Sequence, residues 1–304
     1  MTAEEQQKAR QGVLLALGAY TMWGIAPIYF KSLAAVSPLE ILSHRVVWSF
    51  FLLAALLHFG RHWRTVRDVL TSKSKMLYLV TTAILVGANW LIFIWAVNAN
   101  HMLDASLGYY INPLINVLLG MLFLGERLRK LQWFAVTLAT CGVLVQLVVF
   151  GSVPIVAIAL AFSFGFYGLL RKKVSVDAQT GLFIETLVML PAAAIYLLFI
   201  ASTPTSNMLA NPAHFNALLV AAGVVTTLPL LCFTGAATRL KLSTLGFFQY
   251  IGPSLMFLLA VLIYGEAFTS DKAITFAFIW GALVLFSFDG LRYSRKNRRT
   301  RQTN

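Results

Sequence analysis

The sequence predicts an all-α integral membrane protein, with ten transmembrane helices built as a five-plus-five inverted repeat. Three observations carry this. The first is composition: of 304 residues, 59% are hydrophobic and 12% charged, and the mean hydropathy is +0.77. Soluble domains carry about 25% charged residues, so lipid, and not a single aqueous core, must solvate much of this chain. The second is charge placement: 21 of the 24 Lys and Arg fall on one side once ten apolar segments are drawn. The third is a motif that occurs twice, 140 residues apart.

The ten segments lie at 11–30, 39–59, 76–97, 103–124 and 132–150, then at 153–170, 181–201, 216–237, 243–264 and 273–290. Each approaches the roughly 20 helical residues that cross a hydrocarbon layer, where backbone groups must be paired internally. The first reads as a permanent helix. It is too long for a leader core, and Glu4 and Glu5 precede it. The second runs into Arg61, Arg64 and Arg67, and the third follows Lys73 and Lys75. The fourth closes on Gly125-Glu126, and Arg127, Arg129 and Lys130 separate it from the fifth. Only Phe150-Gly151-Ser152-Val153-Pro154 divides the fifth from the sixth. They are split because one helix over 132–170 would be about twice a membrane thickness. The sixth ends on Arg171, Lys172 and Lys173, the eighth before Arg239 and Lys241, and the tenth before the basic tail 291–304.

A cytoplasmic N-terminus places those 21 basic residues inside, leaving Lys31 and Lys272 in outer loops and Arg45 within a span. The positive-inside rule then puts both termini in the cytoplasm. The net charge of +13 is accounted for by these loops, so nucleic acid is not an expected partner. Cys141 and Cys232 both sit in apolar runs and read as small buried hydrophobes, not as a disulfide or a metal pair.

The repeated motif is "INPLINVLLGMLFLGE" at 111–126 and "IGPSLMFLLAVLIYGE" at 251–266. Residues 91–126 match 231–266 at eleven of thirty-six positions, including Tyr110 with Tyr250 and Pro113 with Pro253. Trp23-Gly24 precedes Lys31 as Phe164-Gly165 precedes Lys172. Two five-helix units follow, 1–150 and 151–290. Five is odd, so the second enters the membrane upside down, with Lys172 and Glu126 inside and Lys31 and Glu266 outside. Inverted repeats are typical of secondary transporters that alternate access to a midplane site. Pro113, Pro229 and Pro253 are expected as helix breaks near that site, because proline removes a backbone hydrogen bond. Gly125 and Gly265 fit helix C-caps, after which Glu126 and Glu266 would favour the start of the next helix.

Polar groups inside spans are the candidate substrate-binding or coupling residues, since charge at mid-membrane costs about 2.5–3.5 kcal/mol on insertion scales. Glu40, Arg45 and Glu185 are expected either as one polar network, proton-linked or substrate-orienting, or with Glu40 and Arg45 as a structural ion pair. Asn89, Asn112 and Gln249 add directed hydrogen bonds, and Trp23, Tyr110 and Tyr250 add apolar faces. No HExxH, Gly-x-Gly-x-x-Gly or Walker loop occurs. No enzymatic activity, metal or cofactor is therefore expected, and the partners are a small-molecule substrate and the bilayer, with oligomeric state open.

The strings "RQGVLLALGAYTMWGIAPIYFK" (10–31), "EILSHRVVWSFF" (40–51), "NWLIFIWAVNANHMLDASLGYYINPL" (89–114), "AFSFGFYGLLRKK" (161–173) and "LSTLGFFQYIGPSLMFLLAVLIYGE" (242–266) resemble the EamA branch of the drug/metabolite transporter superfamily. The resemblance covers nearly the whole chain. It implies a ten-helix transporter of the bacterial inner membrane that exports small metabolites or amphipathic, drug-like molecules. Uptake of a small solute is the alternative, and a non-transporting scaffold or scramblase a more distant one.

Overall fold

A computed structural model describes residues 3–33, 35–98, 102–150, 155–263 and 270–302. Among the described residues every regular element is helical. The order is α1 (Ala3–Ser32), α2 (Pro38–Phe59), α3 (Trp63–Leu70), α4 (Lys73–Asn98), α5 (Met102–Leu124), α6 (Lys130–Phe150), α7 (Ile155–Lys173), α8 (Ala178–Ile195), α9 (Ala213–Ala237), α10 (Leu242–Gln249), α11 (Ile251–Leu262) and α12 (Ser270–Gln302). Among the described residues eight helices are long and apolar enough to cross a membrane, and Gly108–Leu124 is a shorter apolar helix. The ninth expected segment is two short helices, α10 and α11, interrupted at Tyr250.

Local chemistry sets the ends. Pro38 occupies the first position of α2, where its missing N–H needs no partner. The Asp177 side chain caps α8 by accepting from Thr180 N at 2.9 Å. One π-helical stretch, Tyr196–Ile200, carries α8 onward. Gly125 closes α5 in the left-handed region, φ +62°, as a C-cap glycine does. The corresponding Gly265-Glu266 lies outside the described residues.

The apolar pattern is inverted relative to a soluble protein. Leu122, Val148, Leu198, Phe199 and Val284 are exposed, whereas Glu40, Arg171, Glu185, Asn116 and Gln249 are buried. Lipid-facing surface and a polar-lined interior explain both halves of that contrast. Helix packing runs α1 on α9 and α11, α7 on α4 and α5, α2 on α8 and α9, α4 on α8, α5 on α10, and α6 on α12. The sequence reading did not include α3. It is a short amphipathic helix that buries Val66 and Val69, sets Trp63 edge-on to Phe183 at 5.5 Å, and leaves Arg64 and Arg67 exposed.

Candidate functional site

Helices α2, α4, α8 and α9 enclose a cavity of about 10 Å³, walled by Ser49, Trp90, Glu185, Thr226 and Thr227 among others. That is room for about one water.

Glu185 forms one wall. Its Oε1 accepts from Thr82 of α4 at 2.6 Å, and its Oε2 from the Tyr167 hydroxyl of α7 at 3.3 Å. Arg171 Nε lies 3.6 Å from Oε1. Arg171 is wholly buried, and its Nε and Nη1 make no hydrogen bond among the described residues. A Cβ on Gly181 would fall 1.9 Å from Arg171 Nη1, so glycine is what lets α8 pass the guanidinium. The sequence reading placed Arg171 in a basic loop. The available signal was its i, i+4 spacing from Tyr167, which sets both on the face of α7 turned to α8.

Arg45 stands beside the cavity. Its Nε donates to Thr226 Oγ1 at 2.8 Å, and its guanidinium carbon lies 4.4 Å from the Trp90 ring centroid and 5.6 Å from that of Phe30. Thr226 and Trp90 both wall the cavity. The expected Glu40–Arg45 pair does not form. Glu40 is fully buried, and its Oε2 accepts from the hydroxyls of Thr203 and, at 3.1 Å, Thr205. The loop after α8 supplies both donors to Oε2, Oε1 is left without a hydrogen-bond partner among the described residues, and Arg45 turns instead toward α9. Among the described residues Arg45 has no carboxylate partner. The single network expected from Glu40, Arg45 and Glu185 is thus three separate arrangements.

The amides gather elsewhere. Asn116 Nδ2 donates to Asn112 Oδ1 at 3.2 Å and to Gln249 Oε1 at 3.0 Å, joining α5 to α10. The Tyr250 hydroxyl donates to the Tyr110 carbonyl at 3.3 Å across the same crossing. Asn89 ties α4 to α7 through Leu160 O and Ser163 Oγ, at 3.0 and 2.9 Å. Trp23 packs within 5.7–5.8 Å of Tyr20, Phe164 and Phe233, a cluster that reaches Glu185 through Tyr167. Helices α5 and α9 run unbroken through Pro113 and Pro229. Pro253 sits in the first turn of α11, just past the interruption at Tyr250. Proline costs a helix its own N–H bond, and a first turn has no such bond to lose.

At one end of the bundle two charges hold the α9–α10 link. Glu126 Oε1 accepts from Leu242 N at 2.7 Å, and Oε2 from Ser243 N at 3.0 Å and Ser243 Oγ at 2.7 Å. This carboxylate therefore caps α10, not the helix that follows it in sequence. Lys172 Nζ donates to Ala237 O at 3.3 Å and to Leu240 O, and lies 4.0 Å from Glu126 Oε1. An anion at a helix start and a cation at a helix end both complement the peptide dipoles. Among the described residues no group of three or more His, Cys, Asp and Glu could hold a metal ion.

Comparison with known proteins accords with this architecture. A 64% identical relative, "Protein RarD" of Salmonella typhimurium, aligns with 96% of this chain and 99% of its own. An "Uncharacterized transporter" of Vibrio cholerae is 77% identical over 98% of each chain. A solved crystal structure shares the fold with a TM-score of 0.69 at 20% identity, covering 90% of this chain and 96% of that one. The family model described as EamA-like transporter family matches residues 10–148 and again 152–288. The chain, a multi-pass membrane protein that packs charged side chains around an interior cavity, therefore belongs to the EamA-like transporter family.

Proposed function

We propose that this membrane transporter is a secondary transporter working by alternating access. It moves a small metabolite or amphipathic molecule out across the inner membrane, with both termini cytoplasmic. In this reading residues 1–150 and 151–290 are inverted five-helix halves, and 291–304 is a basic cytoplasmic tail. The observation that carries it is the cavity: α2 and α4 come from one half and α8 and α9 from the other, and a carboxylate and a guanidinium flank it. Secondary transporters bind cargo where related halves meet.

The inverted arrangement draws support from matched contacts. Exchanging α1 with α7, α2 with α8, α4 with α9, α5 with α10–α11 and α6 with α12 returns the main packing pairs. Gly24 would place a Cβ against Leu255 as Gly165 would against Ile115, where 165 − 24 = 141 and 255 − 115 = 140. The Tyr110–Tyr250 bond joins residues 140 apart.

The small cavity and the Glu126 clamp on the α9–α10 link fit a state closed toward the cytoplasm. Glu185 is the group whose protonation would couple transport, and Arg171, short of partners in this state, is the cation that would respond. An unbiased comparison of inner and outer metabolite pools tests the function, using deletion cells and cells overproducing the wild type or Arg45→Ala. Pools that shift with the wild type and not with the variant support it. Pools indifferent to both overturn it.

A further inference from the structure

From the α6–α12 end of the bundle we infer a binding site for the headgroup of an anionic phospholipid. An open depression of about 490 Å³ lies between the start of α6 and the end of α12, lined by Arg129, Lys130, Leu131, Phe134, Asp289 and Arg292. Its volume falls within the range of small-molecule sites.

The lining divides into three parts. Arg129 is committed: its Nε donates to Asp289 Oδ2 at 2.6 Å, its Nη2 also contacts that oxygen, and its guanidinium carbon sits 4.4 Å from the Tyr293 ring centroid. That pair forms a neutral floor. Lys130 and Arg292 are exposed, and no carboxylate among the described residues pairs with either, so they leave the depression with two uncommitted positive charges. Phe134 and its neighbour Trp133 are exposed and apolar, on a helix long and apolar enough to cross the membrane. The chain beyond Arg292 continues with Arg295, Lys296, Arg298, Arg299 and Arg301.

Two cations in a depression that Leu131 and Phe134 also line match a phosphate carried on acyl chains. A soluble anion would use the cations and leave the apolar lining unexplained. Basic pockets between transmembrane helices on the cytoplasmic side bind such headgroups, and the positive-inside rule places this end there. The site shares no lining residue with the cavity of the proposed transport path; it rests on the proposed cytoplasmic placement of this end and not on transport itself.

The test uses the full chain in detergent, titrated with phosphatidylglycerol or phosphatidylcholine and read by native mass spectrometry and thermal melting. The wild type should retain phosphatidylglycerol preferentially and melt higher with it. Lys130→Gln, Arg292→Gln together should weaken phosphatidylglycerol binding about thirtyfold, from the usual worth of two basic residues near an anionic surface. Arg64→Gln, Arg67→Gln on α3 removes two exposed charges elsewhere and should leave binding intact. Inorganic phosphate should not compete. Equal loss in both double variants, undiminished binding in the first, competition by phosphate or no lipid preference in the wild type would each overturn the site.

Discussion

Glu126→Gln should open the inner face of the transporter. The carboxylate holds three donors at the start of α10: Leu242 N at 2.7 Å, Ser243 N at 3.0 Å and Ser243 Oγ at 2.7 Å. The amide keeps the shape, loses the charge and can accept at one oxygen only. A helix cap contributes about 1–2 kcal/mol, and an anion at a helix start a further ~0.3–1 kcal/mol. The closed state should therefore lose about 1.5–3 kcal/mol relative to an open one in which α10 moves from Glu126. At about 1.4 kcal/mol per factor of ten, that is one to two decades in population. Thr227 makes a reporter: it walls the cavity, is 2% exposed, and its hydroxyl has no hydrogen-bond partner among the described residues. With Cys141→Ser and Cys232→Ala removing the native thiols, Thr227→Cys can be labelled in inside-out vesicles with an impermeant methanethiosulfonate. Adding Glu126→Gln should raise the labelling rate about ten- to a hundredfold. An unchanged rate together with a lowered melting temperature would mean that the cap stabilises the fold in every state and gates nothing.

Three further outcomes follow from the contacts. Arg45→Ala and Glu40→Ala should be additive in thermal stability within about 0.3–0.5 kcal/mol, because the two side chains bond to different elements; a larger coupling would restore the ion pair that the geometry denies. Arg171→Met leaves Glu185 buried without its cation and should cost about 3–5 kcal/mol, whereas Arg171→Met, Glu185→Met should recover most of that in melting experiments; a double variant no more stable than the single would refute the pairing. Reporter fusions at Asn304 and within 202–215 should report opposite sides of the membrane, and a shared side would refute the ten-span arrangement.

The helices were legible in the sequence because lipid demands long apolar runs: among the described residues eight expected segments coincide with helices long and apolar enough to cross a membrane, 103–124 with a shorter apolar helix and 243–264 with two short ones. The amphipathic α3 was not, because eight residues with two buried valines carry little hydropathy signal. Glu185 and Arg45 stood out as charges within spans, a cost that sequence alone exposes. Their partners did not. Thr82 and Thr226 are ordinary threonines in apolar helices, and they matter only because α4 faces α8 and α9 faces α2. Arg171 was hidden by its neighbours, since Arg171-Lys172-Lys173 looks like a solvated basic edge until Gly181 is seen to make room for one of the three. Sequence position assigns Glu126 to the start of the next helix, yet its partners lie 116 and 117 residues away. Local rules describe what a carboxylate does at a helix start but not which helix start is near.

The two charges beside the cavity occupy equivalent places. Helices α2 and α8 begin at Pro38 and Ala178, so 178 − 38 = 140, and Arg45 and Glu185 are likewise separated by 185 − 45 = 140. Each bonds to a threonine on the long helix of the other half, Thr226 on α9 and Thr82 on α4. A duplicated scaffold accounts for the shared position and the shared kind of partner. It does not account for the opposite sign, which goes with different neighbours: Arg45 lies against the Trp90 and Phe30 rings, whereas Glu185 lies 3.6 Å from Arg171 and accepts from the Tyr167 hydroxyl. Each sign therefore suits its own neighbours. A cavity flanked by a cation on one side and an anion on the other presents two different ends to a molecule crossing it. Polarity of transport can draw on that difference, beside the others between the halves, such as the unbroken α5 against the interrupted α10 and α11.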